Sequence, residues 1–218
     1  MEATTRQKGE EMEGSLALDQ KTTALLVIDV LEAVGEDAVY APSPEERAMV
    51  DNCVRAVDAA RAAGLPVVFC DDEHLEGVDR ELELWGPHGI KGRTVPAAAL
   101  RAGSGPRDFV VPKRRYSGFF QTDLDLLLRE LGVRTVVAVG CDTNVCVLHT
   151  LADAYYRGYG SVLVGDATRT FLCGSQEGAV EHCQKCFGSV VASTDELLSK
   201  VLLQASLDMK NGFARSDR

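Results

Sequence analysis

Apolar residues in this chain gather into short unbroken runs, set between stretches where they recur at helical spacing. Ala24-Leu25-Leu26-Val27-Ile28 is one such run, and it stops at Asp29. A run of that length without alternation suits a strand covered on both faces, as in a parallel sheet. Ser43-Pro44-Glu45-Glu46 then supplies a cap, a proline at the first helical position and acids in the first turn. Met49, Val50, Cys53, Val54, Val57 and Ala60 carry that helix forward to Gly64. Further strands are predicted over 66–70, ending in Asp71 and Asp72, over 109–111 leading into Pro112-Lys113, and over 134–139, 161–164 and 187–192. Helices are predicted over 122–131, 145–157 and 194–203, with another ending near His182. Residues 73–105 show no steady period. Strand and helix alternate about six times, which predicts a single-domain, three-layer α/β/α fold with a mainly parallel, Rossmann-like sheet of about six strands. The domain is expected over 21–204. Residues 1–20 read as a mobile polar arm and 205–218 as a polar tail.

Composition narrows the partners. The 218 residues are 45% hydrophobic and 26% charged, so a core of ordinary size can form without disulfides. Lys and Arg number 23 against 33 Asp and Glu, a net charge of −10. So acidic a surface repels phosphate backbones and anionic lipid, which argues against nucleic acid and membrane partners. No apolar run reaches the roughly 20 residues of a membrane span. The polar N-terminus lacks the apolar core of a secretion signal, and a cytoplasmic protein is expected. The seven cysteines are irregularly spaced and are expected to be reduced. Cys183-Gln-Lys-Cys186 has the spacing of a redox or zinc pair. Its place at the end of a predicted helix favours a structural role.

In a parallel sheet, ligands bind just beyond the carboxyl ends of the strands. Asp29, Asp71, Asp72, Lys113 and the turn 140–146 are therefore the candidate site. No glycine-rich phosphate loop follows any strand. Cys146 follows a strand and a turn in which Thr143 or Asn144 can cap the next helix, placing the thiol in its first turn. A helix start favours the thiolate, and the same turn offers N–H groups to a developing oxyanion. A packed core cysteine is the plain alternative. Asp29 and Lys113 shift the balance, because a carboxylate can carry protons and a lysine can favour a thiolate.

The segments Leu26-Val27-Ile28-Asp29, Lys113-Arg114-Arg115-Tyr116-Ser117-Gly118-Phe119 and Gly140-Cys141-Asp142-Thr143-Asn144-Val145-Cys146-Val147 resemble those of the isochorismatase-like cysteine hydrolases. So does Thr150-Leu151-Ala152-Asp153-Ala154, and the resemblance runs from about Thr23 to Val201. It implies Asp29 as general base and acid, Lys113 as its charged partner and Cys146 as nucleophile forming a thioester. It also implies a cis peptide at Cys141-Asp142, with the N–H groups of Asp142 and Cys146 as the oxyanion hole. The charge of Asp142 would raise the thiol pKa unless its side chain points away.

The irregular stretch carries Asp72-Glu73-His74 and Trp85-Gly86-Pro87-His88, holding two of the chain's four histidines. One carboxylate and two imidazoles (Asp72, His74, His88) suit zinc, manganese or ferrous iron. An acidic loop with two exposed histidines is the alternative. The pattern resembles the nicotinamidase branch, in which the metal lies beside the substrate ring and an aromatic pair sandwiches it. Trp85 matches one aromatic, while Val34 stands where the other is usual, and Gly92-Arg93-Thr94-Val95-Pro96 departs from the branch's common pattern. Tyr116 and Phe119 are taken as further substrate-binding residues, with Arg115 and Gln121 as polar candidates. His149 could pair with Cys146, although backbone contact suits it better, and His182 lies beside the Cys183 pair. The expected activity is hydrolysis of a small amide to carboxylate and ammonia, with carbamoyl or ureido compounds as the alternative substrates. A catalytically silent binding module and a redox thiol protein are the rival classes. The resemblance further implies a homo-oligomer, a dimer or tetramer.

Overall fold

In the computed structural model the described residues are 18–33 and 43–201. The expected N-terminal arm before Leu18, the C-terminal tail and Val34 lie outside them. Six strands form one sheet, all pairs parallel. They are β1 (Thr23–Ile28), β3 (Val67–Asp72), β5 (Asp108–Lys113), β6 (Thr135–Cys141), β7 (Gly160–Arg169) and β8 (Val190–Ala192). Their order is β5-β3-β1-β6-β7-β8. The chain moves outward from β1 through β3 to β5, then returns to the other side of β1 with β6. Between β1 and β6 the direction of winding reverses, which opens a crevice at their carboxyl ends.

Every residue of β1 is buried, as its unbroken apolar run requires. Leu25 and Val27 join the core beneath α1 (Pro44–Ala62), while Leu26 and Ile28 join the core on the opposite face. That second face is closed by α3 (Leu124–Glu130), α4 (Leu148–Tyr156) and α5 (Gln176–Phe187). A terminal helix, 194–201, packs through Leu197 and Val201 beside α1. Each large side chain buried this way contributes about 1.5–3 kcal/mol. The start of α1 is a capping box: Glu46 N–H donates to Ser43 Oγ at 3.1 Å, and Ser43 N–H donates to the Glu46 carboxylate at 2.6 Å.

Several boundaries differ from the pattern-based expectation. β3 runs through Asp71 and Asp72 rather than stopping before them, because these acids are covered at the strand end. β7 extends five residues beyond Val164 after a register shift against β6, and its Gly165-Asp166 step hides the continuation. Phe187 ends α5 rather than opening β8; Gly188, with φ +67°, closes the helix by donating to Cys183 O. Cys183 is therefore buried on α5 and Cys186 exposed on its last turn. The irregular stretch contains a short helix, α2 (Glu81–Trp85), and β4 (Thr94–Pro96), which pairs antiparallel with β2 (Leu31–Ala33). Three-residue strands are too short to display a period. Among the described residues no helix is long and apolar enough to cross a membrane.

Candidate active site

Strand register assembles the site. Ile28 stands level with Gly140 and Cys70, and Asp72 level with Lys113, so the carboxyl ends of four strands meet at one height. β1 ends in Asp29, whose φ of +50° is a conformation Asp tolerates better than most side chains. Gly140 lies beside the Ile28 carbonyl at φ +113°, and any Cβ there would fall 2.0 Å from that oxygen. The glycine is thus required for β6 to approach β1. The Cys141–Asp142 peptide that follows is cis.

Lys113 is the centre of the arrangement. Its side chain is fully buried, and Nζ lies 2.7 Å from Asp29 Oδ2, 2.6 Å from Asp72 Oδ1 and 3.6 Å from Cys146 Sγ. Asp29 Oδ1 accepts from the Asp72 N–H at 2.8 Å. Burial and the neighbouring Asp72 push the Asp29 carboxyl up to about 6, against the pull of Lys113. Burial alone would lower the Lys113 pKa, but Asp29, Cys146 and Asp72 raise it well above the usual lysine value. The Cys146 thiol is held up by burial and by Asp29, with Lys113 acting in the other direction. A protonated thiol beside a carboxylate poised near neutrality can react if the carboxylate takes its proton as the sulfur attacks.

Asp142 turns away from the thiol. Its Oδ2 accepts from the Phe171 and Leu172 N–H groups at 2.9 and 2.7 Å, which anchors the segment after β7 to the turn. The expected helix cap is not formed by Thr143 or Asn144. Thr143 Oγ1 donates to Gln176 at 2.9 Å and Asn144 donates to the Cys173 carbonyl, while Asp142 occupies the cap position without a side-chain bond to the helix's own N–H groups. Cys146 sits in a single π turn, Thr143–Val147, that leads into α4.

Beside this trio lies a second cluster. Ligand atoms of Asp72, His74 and His88 all lie within 4.8 Å of one another. His74 is fully buried with neither ring nitrogen hydrogen-bonded, and its Nε2 is 3.4 Å from Asp72 Oδ2. Glu81, which no local pattern marks, brings Oε2 to 3.6 Å from the same nitrogen, and Asp79 Oδ2 lies 3.6 Å from Nδ1. Burial works against charge on His74, and Asp72 and Glu81 outweigh it, raising its pKa. His88 donates through Nδ1–H to the Gly86 carbonyl, 2.8 Å away, which leaves Nε2 for the cluster. Gly89 allows that loop to close on Asp72: a Cβ there would lie 2.4 Å from the Asp72 Cβ. Buried carboxylates around unpaired imidazole nitrogens are the donor set a divalent transition metal takes. Glu81 went unseen because Glu81-Leu82-Glu83 reads as a solvated face; only the packing of α2 buries one of the two acids.

A cavity of about 370 Å³ joins both clusters. Leu31, Trp85, Pro87, Val145, Phe171 and Leu172 supply its apolar wall. Trp85 Nε1–H donates to the Tyr116 hydroxyl at 2.9 Å, fixing both rings at the cavity. Phe119 does not reach it; its ring packs in the core against Tyr159 at 5.8 Å and under the Arg157 guanidinium. Gln121 is exposed elsewhere, and Arg115 reaches toward Asp79 at 3.4 Å. His149 binds the Val145 carbonyl at 2.7 Å rather than the thiol, and His182 stacks on Phe187.

Residues 23–195 match the family model of the isochorismatase domain. The chain is 33% identical over 216 residues to the ureidoacrylate amidohydrolase RutB of Methylorubrum extorquens, covering 84% of this chain and 86% of that one. Among solved structures it is similar to the N-carbamoylsarcosine amidase of Thermoplasma acidophilum, with TM-score 0.69, 34% identity and coverage of 80% and 97% of the two chains. It is similar also to the pyrazinamidase/nicotinamidase of Streptococcus mutans, with TM-score 0.69, 33% identity and coverage of 78% and 99%.

Proposed function

Because this chain belongs to the isochorismatase family, we propose that it is a cysteine amidohydrolase that cleaves a small amide to carboxylate and ammonia. The observation that carries this reading is Lys113 Nζ held between Asp29 and Asp72 with the Cys146 sulfur 3.6 Å away. Asp29 accepts the Cys146 proton as the sulfur adds to the amide carbonyl. The oxyanion formed there is met by the N–H groups of Asp142 and Cys146. Asp29 returns the proton to the leaving nitrogen, ammonia departs and a thioester remains. Asp29 then takes a proton from water as it attacks the thioester, and gives it back to the sulfur as the acid leaves.

Asp72, His74 and His88, with Glu81 beside them, would hold a divalent metal, zinc by preference of the donor set or else manganese or iron. When bound it would act as a Lewis acid that orients a donor atom of the substrate. Nicotinamide, a neutral ring amide, suits a cavity whose apolar wall includes Trp85 and Leu172. Carbamoyl and ureido amides form the second reading, favoured by the names of the relatives above. A homo-oligomer, dimer or tetramer, belongs to the same reading, and a single-chain mass in light scattering would overturn that part.

Ammonia release from nicotinamide by wild type and Cys146→Ala, with and without a chelator, tests the proposal. Release that needs both the thiol and the metal is expected. No release from metal-loaded wild type overturns nicotinamide and directs the assay to ureidoacrylate and N-carbamoyl amino acids.

A further inference from the structure

Five acids line the cavity, two of them, Asp29 and Asp72, at the reacting centre. Glu32 on β2 stands on its wall with an exposed carboxylate, and Asp29, Asp72, Glu81 and Asp142 line the same cavity. Among the described residues, five cations around the cavity are engaged by acids, while Arg169, level with Cys141 at its edge, is exposed. Lys113 is shared by Asp29 and Asp72. Arg114 and Arg115 reach Asp79, Arg93 reaches Glu76, and Lys91 reaches Glu73. A divalent ion at the His74 corner would face both Asp72 and Glu81, so its charge is offset locally. Glu32 is left as the wall acid outside that offset, since the Asp142 carboxylate is turned to the Phe171 and Leu172 N–H groups.

A carboxylate entering such a cavity would lose hydration and meet charges of its own sign. An uncharged body would meet Leu31, Trp85, Phe171 and Leu172 instead. We propose that this cavity selects amides whose body beyond the scissile carbonyl bears no carboxylate, with Glu32 accepting a hydrogen bond from a donor on that body. The inference rests on the amidohydrolase reading for its substrate class, while the sign of the field stands on the wall residues alone.

The test uses two thiol reagents of similar size and different charge. Alkylation of Cys146 by iodoacetamide and by iodoacetate is followed by peptide mass spectrometry, each rate divided by its rate on glutathione. Wild type is expected to disfavour iodoacetate by about tenfold or more. Glu32→Lys should close that gap by about threefold or more, and Glu32→Gln by less, with salt acting in the same direction. Equal or faster reaction with iodoacetate overturns the proposal, and a gap that both variants leave unmoved overturns the part assigned to Glu32. Ammonia release from succinamate and from its methyl ester separates the two readings. Faster release from succinamate overturns the charge selection and leaves the amidohydrolase standing. Release from neither ester nor nicotinamide, with iodoacetamide still preferred at Cys146, overturns the amidohydrolase and leaves the charge selection standing.

Discussion

Strand β5 begins and ends with a buried ion pair, and the two ends behave differently. At its first residue, Asp108 meets Arg61 at 2.6 Å, with the exposed Asp58 reaching the same guanidinium only at 3.9 Å and the Gly105 N–H also donating to Asp108 at 3.0 Å. Burial would raise the Asp108 pKa, but the Arg61 hydrogen bonds outweigh it and hold the carboxyl below its ordinary value. At the last residue, Lys113 serves two carboxylates and a thiol. Burial and the neighbouring Asp72 outweigh that shared cation, and Asp29 is left with a pKa raised to about 6. A saturated pair fixes α1 to the sheet. An oversubscribed cation leaves a group able to exchange a proton near neutral pH.

The largest test of this contrast is at the carboxyl end. Cys146→Ala should lower kcat/KM for amide hydrolysis by about 10⁴-fold or more in a steady-state ammonia assay. Lys113→Met should cost about 10³-fold in the same assay. It should also remove about 3–5 kcal/mol of stability in urea unfolding, since it leaves Asp29 and Asp72 facing each other without a cation. His88→Ala should weaken zinc binding by about 10–100-fold in equilibrium dialysis. Unchanged affinity would remove the metal from that corner. At the amino end, Asp108→Asn should cost about 1–3 kcal/mol of stability and leave kcat/KM within about twofold. A large loss of activity there would erase the distinction between the two ends.

Acidity separates the ends most finely. Asp29 must be ionised to take a proton, so kcat/KM should fall as pH drops below about 6, by about tenfold per unit. A flat profile from pH 7 to 5 would exclude Asp29 as the base. The linkage of Asp108 has the sign of a lowered pKa: its stabilisation is present above its ordinary value of 3.8 and is lost as pH falls toward the folded value. The advantage of wild type over Asp108→Asn in urea midpoint should therefore hold at pH 7 and shrink below about pH 4. For Asp29 the raised pKa has the opposite sign. The fold gives up stability as pH rises from about 4 through about 6.

Long apolar runs and capping residues made β1, α1 and the parallel sheet legible, because each signal is local and repeats over several residues. Asp29, Lys113 and Cys146 were legible as strand-end chemistry for the same reason. Local pattern could not show that Phe119 turns into the core while Trp85 stays at the cavity, since both are single aromatics in short segments. Nor could it tell Glu81 from Glu83, or Asp142 bound to backbone from Asp142 facing a thiol. The order of residues along the chain was enough to determine the six parallel strands, their alternation with helices and the chemical types at their ends. Which of those groups share one lysine, and which imidazole is buried among carboxylates, was decided only when non-adjacent strands and the loop 73–94 closed on one another. Distances of 3 Å between residues dozens of positions apart are properties of packing, and no local period encodes them.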